Sequence, residues 1–417
     1  MRHSTRAVRT ALAIGLVAAS AITLSACSAS GSADDGKANI RVLANITPVL
    51  TKAYYQKLVD PFVKSHPGVT VTIESPSGKD VVSTLQQELA SGDTPDVVAS
   101  SLDPVLAPQM VAFPDEKWVK DTPLVDSNTV DGNIWSVATG VQIKSLVFYN
   151  ETAFEKAGIT TPPKSLDEFT ADLGKLKDAG YVGLQTSGEW ATSAQFGMMA
   201  DPAVLGKNFN WFVDRNKKKV TFASSAYDTY LKAYSGWIES GVVPKDSLGL
   251  TYQNSIDAFL AGKSGTYIMG NWFVASADQA KNLPFKIGVF PTPTPDGSTP
   301  KQEGGTAQPY SILKTSKHQD IAMDLVKYLV TDKDAVEASL KSEGNFRPGF
   351  SYAGSELNTA VGKLLDDAPG TFNGTAPGQI PAFGNQLNTV VQSLYTGTSA
   401  TDAASGLDTW WDANANQ

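Results

Sequence analysis

From Asn39 onward the chain alternates short strand-like stretches with helix-like ones. Ile40 to Ala44 reads as a strand, and Val49 to Val63 then sets Leu50, Tyr54, Leu58 and Phe62 four apart, on one helical face. Val69, Val71 and Ile73 alternate with polar residues as a half-buried strand does. Val81, Val82, Leu85 and Leu89 make one face of a second helix, Gly92 is placed to stop it, and Asp96 to Ser100 supplies the next strand. Strand, helix, strand, helix, strand predicts βαβ units and a mostly parallel sheet. After a strand over Val141 to Tyr149 the alternation restarts as though in a second body. Ser165-Leu-Asp-Glu168 is a capping box opening a helix that carries Leu166, Phe169, Leu173 and Leu176 and ends at Gly180. Tyr181 to Leu184 is a strand, Ala226 to Ser240 a helix, Gly265 to Met269 a strand, and Tyr310 to Leu313 another. Helical pattern dominates afterwards, with Ile321, Leu325 and Leu329 on one helix and packing helices near Leu387 to Leu394 and Thr401 to Trp411. There is no internal repeat.

The N-terminal stretch has no such period. Thr10 to Leu24 is apolar or small throughout behind Arg2, Arg6 and Arg9. Its 15 residues fall short of the roughly 20 that span a bilayer. A secretory signal over 1–26 is the better reading. Leu24-Ser-Ala-Cys27 resembles the lipobox of bacterial lipoproteins, in which the cysteine becomes the lipidated first residue. The small polar residues that follow make 27–38 a flexible tether.

Composition narrows the function. Of 417 residues, 41% are hydrophobic and 18% charged, a globular balance whose length suits two domains. The net charge of −8 argues against a nucleic-acid partner, which needs a basic face for phosphates. Removing 1–26 takes away three arginines and no acid, leaving −11. One cysteine and three histidines exclude an intramolecular disulfide and a Cys-based zinc site, and no cofactor or metal is expected.

Five segments, in order along the mature chain, resemble the family 1 extracellular solute-binding proteins of bacterial ABC importers, the maltose-binding-protein-like carbohydrate type. They are Ser91-Gly-Asp-Thr-Pro-Asp-Val97, Ser145-Leu-Val-Phe-Tyr-Asn150 with Phe154-Glu-Lys-Ala-Gly158, and Pro162-Pro-Lys-Ser-Leu-Asp-Glu-Phe169. Gly262-Lys-Ser-Gly-Thr-Tyr-Ile-Met-Gly-Asn-Trp272 and Gly304-Gly305 with Lys314-Thr-Ser-Lys317 complete the set. Gln142-Ile-Lys144 departs from the pattern, since some sugar binders carry an acid there. The resemblance implies an α/β, two-lobe, type II periplasmic-binding-protein-like fold with a ligand cleft between lobes. By analogy the N-lobe is 39–146 plus 275–329 and the C-lobe 147–274 plus 330–417, hinged near Val147, Phe273 and Leu329. It further implies a monomer that partners ABC permease subunits, on the extracytoplasmic face of the cell membrane through lipidated Cys27.

A sugar site needs aromatic planes for C–H faces and short polar side chains for hydroxyls. Trp272, directly after a strand, and Trp190, in a small-residue loop, are the stacking candidates; Trp237, Trp410 and Trp411 read as packing, which is also the default for Trp118, Trp135 and Trp211. Polar candidates lie at strand ends, where open α/β sheets bind ligands: Asn45, Thr47, Ser101, Asp103, Gln142, Lys144, Glu189, Asn271, Gln308, Asn345 and Arg347. For each, a backbone-capping or exposed polar role competes; Asp103 before Pro104 suits an N-cap and Arg347 a structural ion pair. No Gly-x-Ser-x-Gly, Gly-x-Gly-x-x-Gly, P-loop or His-Glu-x-x-His motif occurs. The expected function is therefore capture of a mono- or oligosaccharide for an ABC permease, without catalysis. The alternatives are another solute (a polyamine, a sugar phosphate or a peptide) and a surface glycoside hydrolase, which needs only two carboxylates.

Overall fold

The computed structural model describes residues 38–78, 80–380 and 382–415. The signal segment and Cys27 lie outside the described residues. Twelve strands occur among those described: β1 (Ala38–Ala44), β2 (Val69–Glu74), β3 (Val97–Ala99), β4 (Thr129–Val130), β5 (Asn133–Ile134), β6 (Val137–Ile143), β7 (Leu146–Asn150), β8 (Val182–Gln185), β9 (Ser264–Met269), β10 (Ile287–Pro291), β11 (Gln302–Ile312) and β12 (Thr371–Asn373). No helix among them is long and apolar enough to cross a membrane.

Two sheets organise the molecule. The first runs β12-β11-β3-β1-β2, with β6 also paired to β11; the second runs β10-β7-β9-β8. β1 pairs in parallel with β2 and β3, joined by right-sized crossover helices at Lys52–Ser65 and Val81–Ser91, so the βαβ alternation is realised as expected. β3 and β6 meet β11 antiparallel, and in the second sheet only β8–β9 is parallel. The reason is connectivity: β7 arrives from the first sheet and β10 departs toward it, so each lies antiparallel to its neighbour.

Where the sequence reads one strand over Val141 to Tyr149, the chain forms two in different sheets. Ser145 adopts a left-handed backbone conformation at φ 60°, which turns the chain out of β6 and into β7. The interleaving elsewhere is finer than the boundaries drawn above. β10, within 275–329, pairs with β7 in the second sheet, whereas helix Lys333–Glu343 and β12, within 330–417, pack on or pair with the first. Sequence pattern marks an element's type, but its sheet is decided by long-range pairing.

Each sheet has its own core. Ile40, Val42 and Ala44 point to one face of the first sheet with Phe62, Ile312 and Leu325, while Leu43, Val98 and Leu85 cover the other. The second body gathers Phe148, Leu173, Phe196, Trp237, Tyr267 and Trp411 into one cluster that the helices Phe383–Tyr395 and Ala400–Asn414 complete from the end of the chain. The capping box is present as read: Ser165 accepts from the Glu168 amide, and the Glu168 carboxylate accepts from the Ser165 amide.

The two sheets meet at one polar junction. The Asn271 amide N–H donates to the Ile143 carbonyl at 2.8 Å, and the Ile143 N–H donates back to Asn271 Oδ1 at 2.7 Å. The end of β9 is thereby fastened to the end of β6.

Candidate functional site

The largest concavity between the two bodies measures about 920 Å³. Asp80, Asp103, Val105, Lys144 and Glu303 line it from the first-sheet side. From the other side come Trp190, Asp201 and Tyr227, with Phe383 and Asn388 of the penultimate helix. A smaller recess of about 160 Å³ shares Pro104, Lys144 and Thr375 with this cleft and runs on between Ser101, Gln142 and Thr306. A separate groove of about 550 Å³ beside helix Lys52–Ser65 is lined mainly by apolar residues and touches none of the candidates.

Hydrogen-bond saturation sorts the thirteen candidate ligand residues, because a polar side chain already satisfied within the chain has little left to offer a solute. Asn271, fully buried, accepts from Ile143 and donates through Nδ2 to the carbonyls of Glu343 and Gly344 and to Asn345 Oδ1. Gln308 takes the Tyr54 hydroxyl at 2.9 Å on Oε1 and donates to the Ser339 carbonyl and Ser342 Oγ. Asn345 spends its amide on Asn271 and Glu343. Arg347 is buried, donates to the carbonyls of Thr139, Val330 and Asp121, and lies over the Phe350 ring. These four are framework residues, not ligand contacts as expected above, and Arg347 clamps carbonyls in place of the ion pair also considered. Thr47 caps its own turn by accepting from the Val49 and Leu50 amides. Asn45 is exposed, and neither concavity includes it.

The structure brings five candidates to the cleft and recess. Ser101, Gln142 and Lys144 line the recess; Asp103, Lys144 and Trp190 line the cleft. Asp103 also fills the N-cap role, accepting from the Val105 amide at 2.9 Å through one oxygen. Trp190 is 46% exposed, an unusual state for so large an apolar ring. Its ring centroid is 4.9 Å from that of Tyr252. Glu189 sits beside it with a left-handed backbone, and its carboxylate accepts from the Tyr252 amide, pinning that ring beside Trp190. Trp272 lies against Gly270, where any Cβ would collide with the indole, and lines neither concavity.

Sequence reasoning misses Tyr252, Asp201 and Glu303. Tyr252 opens a helix with no distinguishing spacing, and the other two sit among 42 acids. Glu303 is buried, paired to Lys144 Nζ at 3.2 Å, and accepts from Ser145 Oγ at 2.9 Å. Asp201 accepts from the Tyr227 hydroxyl at 2.7 Å. Burial, and next the charge of Glu303, push the Asp201 carboxyl up to about 8. At neutral pH the cleft therefore holds a mostly protonated carboxyl facing a Lys144–Glu303 pair. Among the described residues no group of three or more His, Cys, Asp or Glu is placed to hold a metal ion.

Comparison with known proteins agrees with this architecture. An uncharacterised ABC transporter extracellular-binding protein of Pyrococcus horikoshii is 22% identical over 321 residues, 69% of this chain and 68% of that one. The diacetylchitobiose binding protein of Streptomyces coelicolor is 26% identical over 288 residues, 64% of this chain and 62% of the relative. A solved chitin oligosaccharide binding protein superposes with a TM-score of 0.78 at 20% identity, covering 91% of this chain and all of that one. Residues 47–336 match the family of bacterial extracellular solute-binding proteins. The chain belongs to that family.

Proposed function

We propose that the protein captures a mono- or oligosaccharide in the cleft and delivers it unchanged to an ABC permease, held at the outer face of the cell membrane by lipid on Cys27. The observation that carries the reading is Trp190, an exposed indole on the cleft wall backed by Tyr252, because a flat aromatic face is what the C–H side of a sugar ring stacks on. Unpaired hydroxyls and an amide in the adjoining recess supply partners for sugar hydroxyls. The names of the Streptomyces relative and of the superposed oligosaccharide binder support the same class of solute. Two acyl chains on a lipidated cysteine suffice for stable anchoring.

Val105, 61% exposed, and Trp190 stand on opposite walls, so closure of the two bodies over a ligand buries both. The chain segments between β6 and β7, between β10 and β11, and after β12 are the hinge of that motion. Chemistry on the sugar is disfavoured: Glu303 is buried and committed to Lys144 and Ser145, Asp201 to Tyr227, and Asp80 and Asp103 cap helical turns on one wall, so no uncommitted carboxylate pair faces across the cleft. A sugar phosphate meets Asp80 and Asp103 on the first-sheet wall, where Lys144 is already paired.

Isothermal calorimetry of the purified chain against neutral sugars, spermidine and a hexose phosphate tests the proposal. A neutral sugar should bind saturably and be recovered without new reducing ends, and Trp190→Ala should weaken it about tenfold. Binding of spermidine or the phosphate alone sinks the carbohydrate assignment; cleavage of the sugar sinks the transport role.

A further inference from the structure

The 160 Å³ recess has a chemistry of its own. Six of its polar side chains have no hydrogen-bond partner among the described residues: Ser101, Asn128, Trp135, Gln142, Thr306 and Thr375. This is the reverse of the saturated framework around Asn271. Two of the six are donors with nothing to give to. Asn128 and Trp135 are 93% and 96% buried, and Asn128 Nδ2 and Trp135 Nε1 are both unpartnered. A buried donor left unmade costs about 1–3 kcal/mol, so such a pair is expected where something else supplies the acceptor. The two residues are held together, since the Trp135 amide donates to the Asn128 carbonyl at 3.0 Å. Asn128 ends the single turn Val125–Asn128, and both it and Trp135 line the recess.

Three properties define the missing partner. It must offer a hydrogen-bond acceptor, because the unmet groups are N–H donors. It must be neutral, because Lys144 is already paired to Glu303, and Asp103 and Asp80 stand at the mouth through the shared cleft. It must also carry a small apolar end, because Leu102, Pro104 and Pro309 form the rest of the wall. A carboxylate fails the second condition and a ring hydroxyl the third. An acetamido group meets all three: its carbonyl oxygen takes the two N–H donors and its methyl lies against Leu102 and the prolines. The recess volume is that of about one sugar ring, with Ser101, Gln142, Thr306 and Thr375 left for ring hydroxyls.

We infer that the recess is a subsite for the acetamido group of an N-acetylated sugar, selecting such sugars over their 2-hydroxyl counterparts. This rests on the carbohydrate reading above, but it can fail alone. The test is calorimetry of the purified chain with two β-1,4-linked disaccharides that differ at this group, diacetylchitobiose and cellobiose. Diacetylchitobiose should bind at least about tenfold more tightly. Trp135→Phe, which removes the indole N–H and keeps an aromatic ring, and Asn128→Leu, which removes the amide at similar size, should each cut that preference several-fold, weakening diacetylchitobiose more than cellobiose. If Trp135→Phe does not fold, Asn128→Leu and the wild-type ratio still decide the matter. Equal or tighter binding of cellobiose overturns the subsite while the carbohydrate assignment stands. So does a preference that both variants leave intact, which would place acetamido recognition elsewhere. Failure of every sugar overturns both.

Discussion

The same residue type does opposite work in two places in this molecule, and the difference is whether its hydrogen bonds are spent. Asn271 uses both ends of its amide on the Ile143 N–H and on acceptors at Glu343, Gly344 and Asn345, whereas Asn128 has a buried NH₂ and no acceptor. Asn271→Ala should therefore cost about 3 kcal/mol in urea denaturation, since it strands a buried N–H and two buried carbonyls. Sugar affinity of the folded fraction should change far less, and a variant of unchanged stability would refute the framework role. Part of this is legible in sequence. Trp190 in a small-residue loop and Gln142 and Lys144 at a strand end announce themselves by type and position. Saturation does not, because the partners of Asn271, Gln308 and Arg347 lie 17 to 254 residues away in the chain.

Among the elements, one of the two helices that build the far wall of the cleft is the one the pattern hides. Helix Ala191–Val204 is buried on nearly every side between β9 and helix Phe383–Tyr395, and it carries Pro202 inside. With no polar face there is no 3.6-residue alternation to read. The amphipathic helices, such as Leu166–Asp178 and Ala226–Glu239, are legible to within a residue or two at their starts. Removing the predicted cap with Ser165→Ala should lower stability by about 1 kcal/mol, measured by thermal or chemical unfolding. The hidden helix also sets a pH dependence through Asp201. Its folded carboxyl titrates near 8 against an ordinary 3.8, so across that window the folded chain holds a proton that the unfolded chain has lost. Stability contributed by this group is then greatest below the ordinary value, falls as pH rises through the window and levels off above about 8. Asp201→Asn should flatten that slope, read as denaturation midpoints between pH 5 and 8; an unchanged slope would show that another group carries it.

At the scale of the whole molecule, two-body architecture follows from the restart of the strand–helix alternation after Asn150, and so is visible in sequence. The assignment of β10, β12 and helix Lys333–Glu343 to their sheets is not, because strand pairing between residues as far apart as Ala99 and Tyr310 leaves no local trace. The bodies are joined by a few crossing segments, and the Asn271–Ile143 junction fastens the two sheets at one end. A sugar that binds the closed arrangement should stabilise the chain by about 2.7 kcal/mol at a hundredfold excess over Kd. Small-angle scattering should show the radius of gyration shrink as sugar is added, and no change at saturation would argue against closure.

The first strand of the fold begins at Ala38, and the last wall of the cleft, from Phe383 to Asn388, is held in place by packing of the final helix, Ala400–Asn414, through Trp411. Synthesis therefore completes the binding site last. A chain emerging from the ribosome, or threading through an export channel, has its first sheet strands long before it has anywhere to hold a sugar. A truncation that removes only the last helix should yield a protein that keeps its first sheet and binds no sugar.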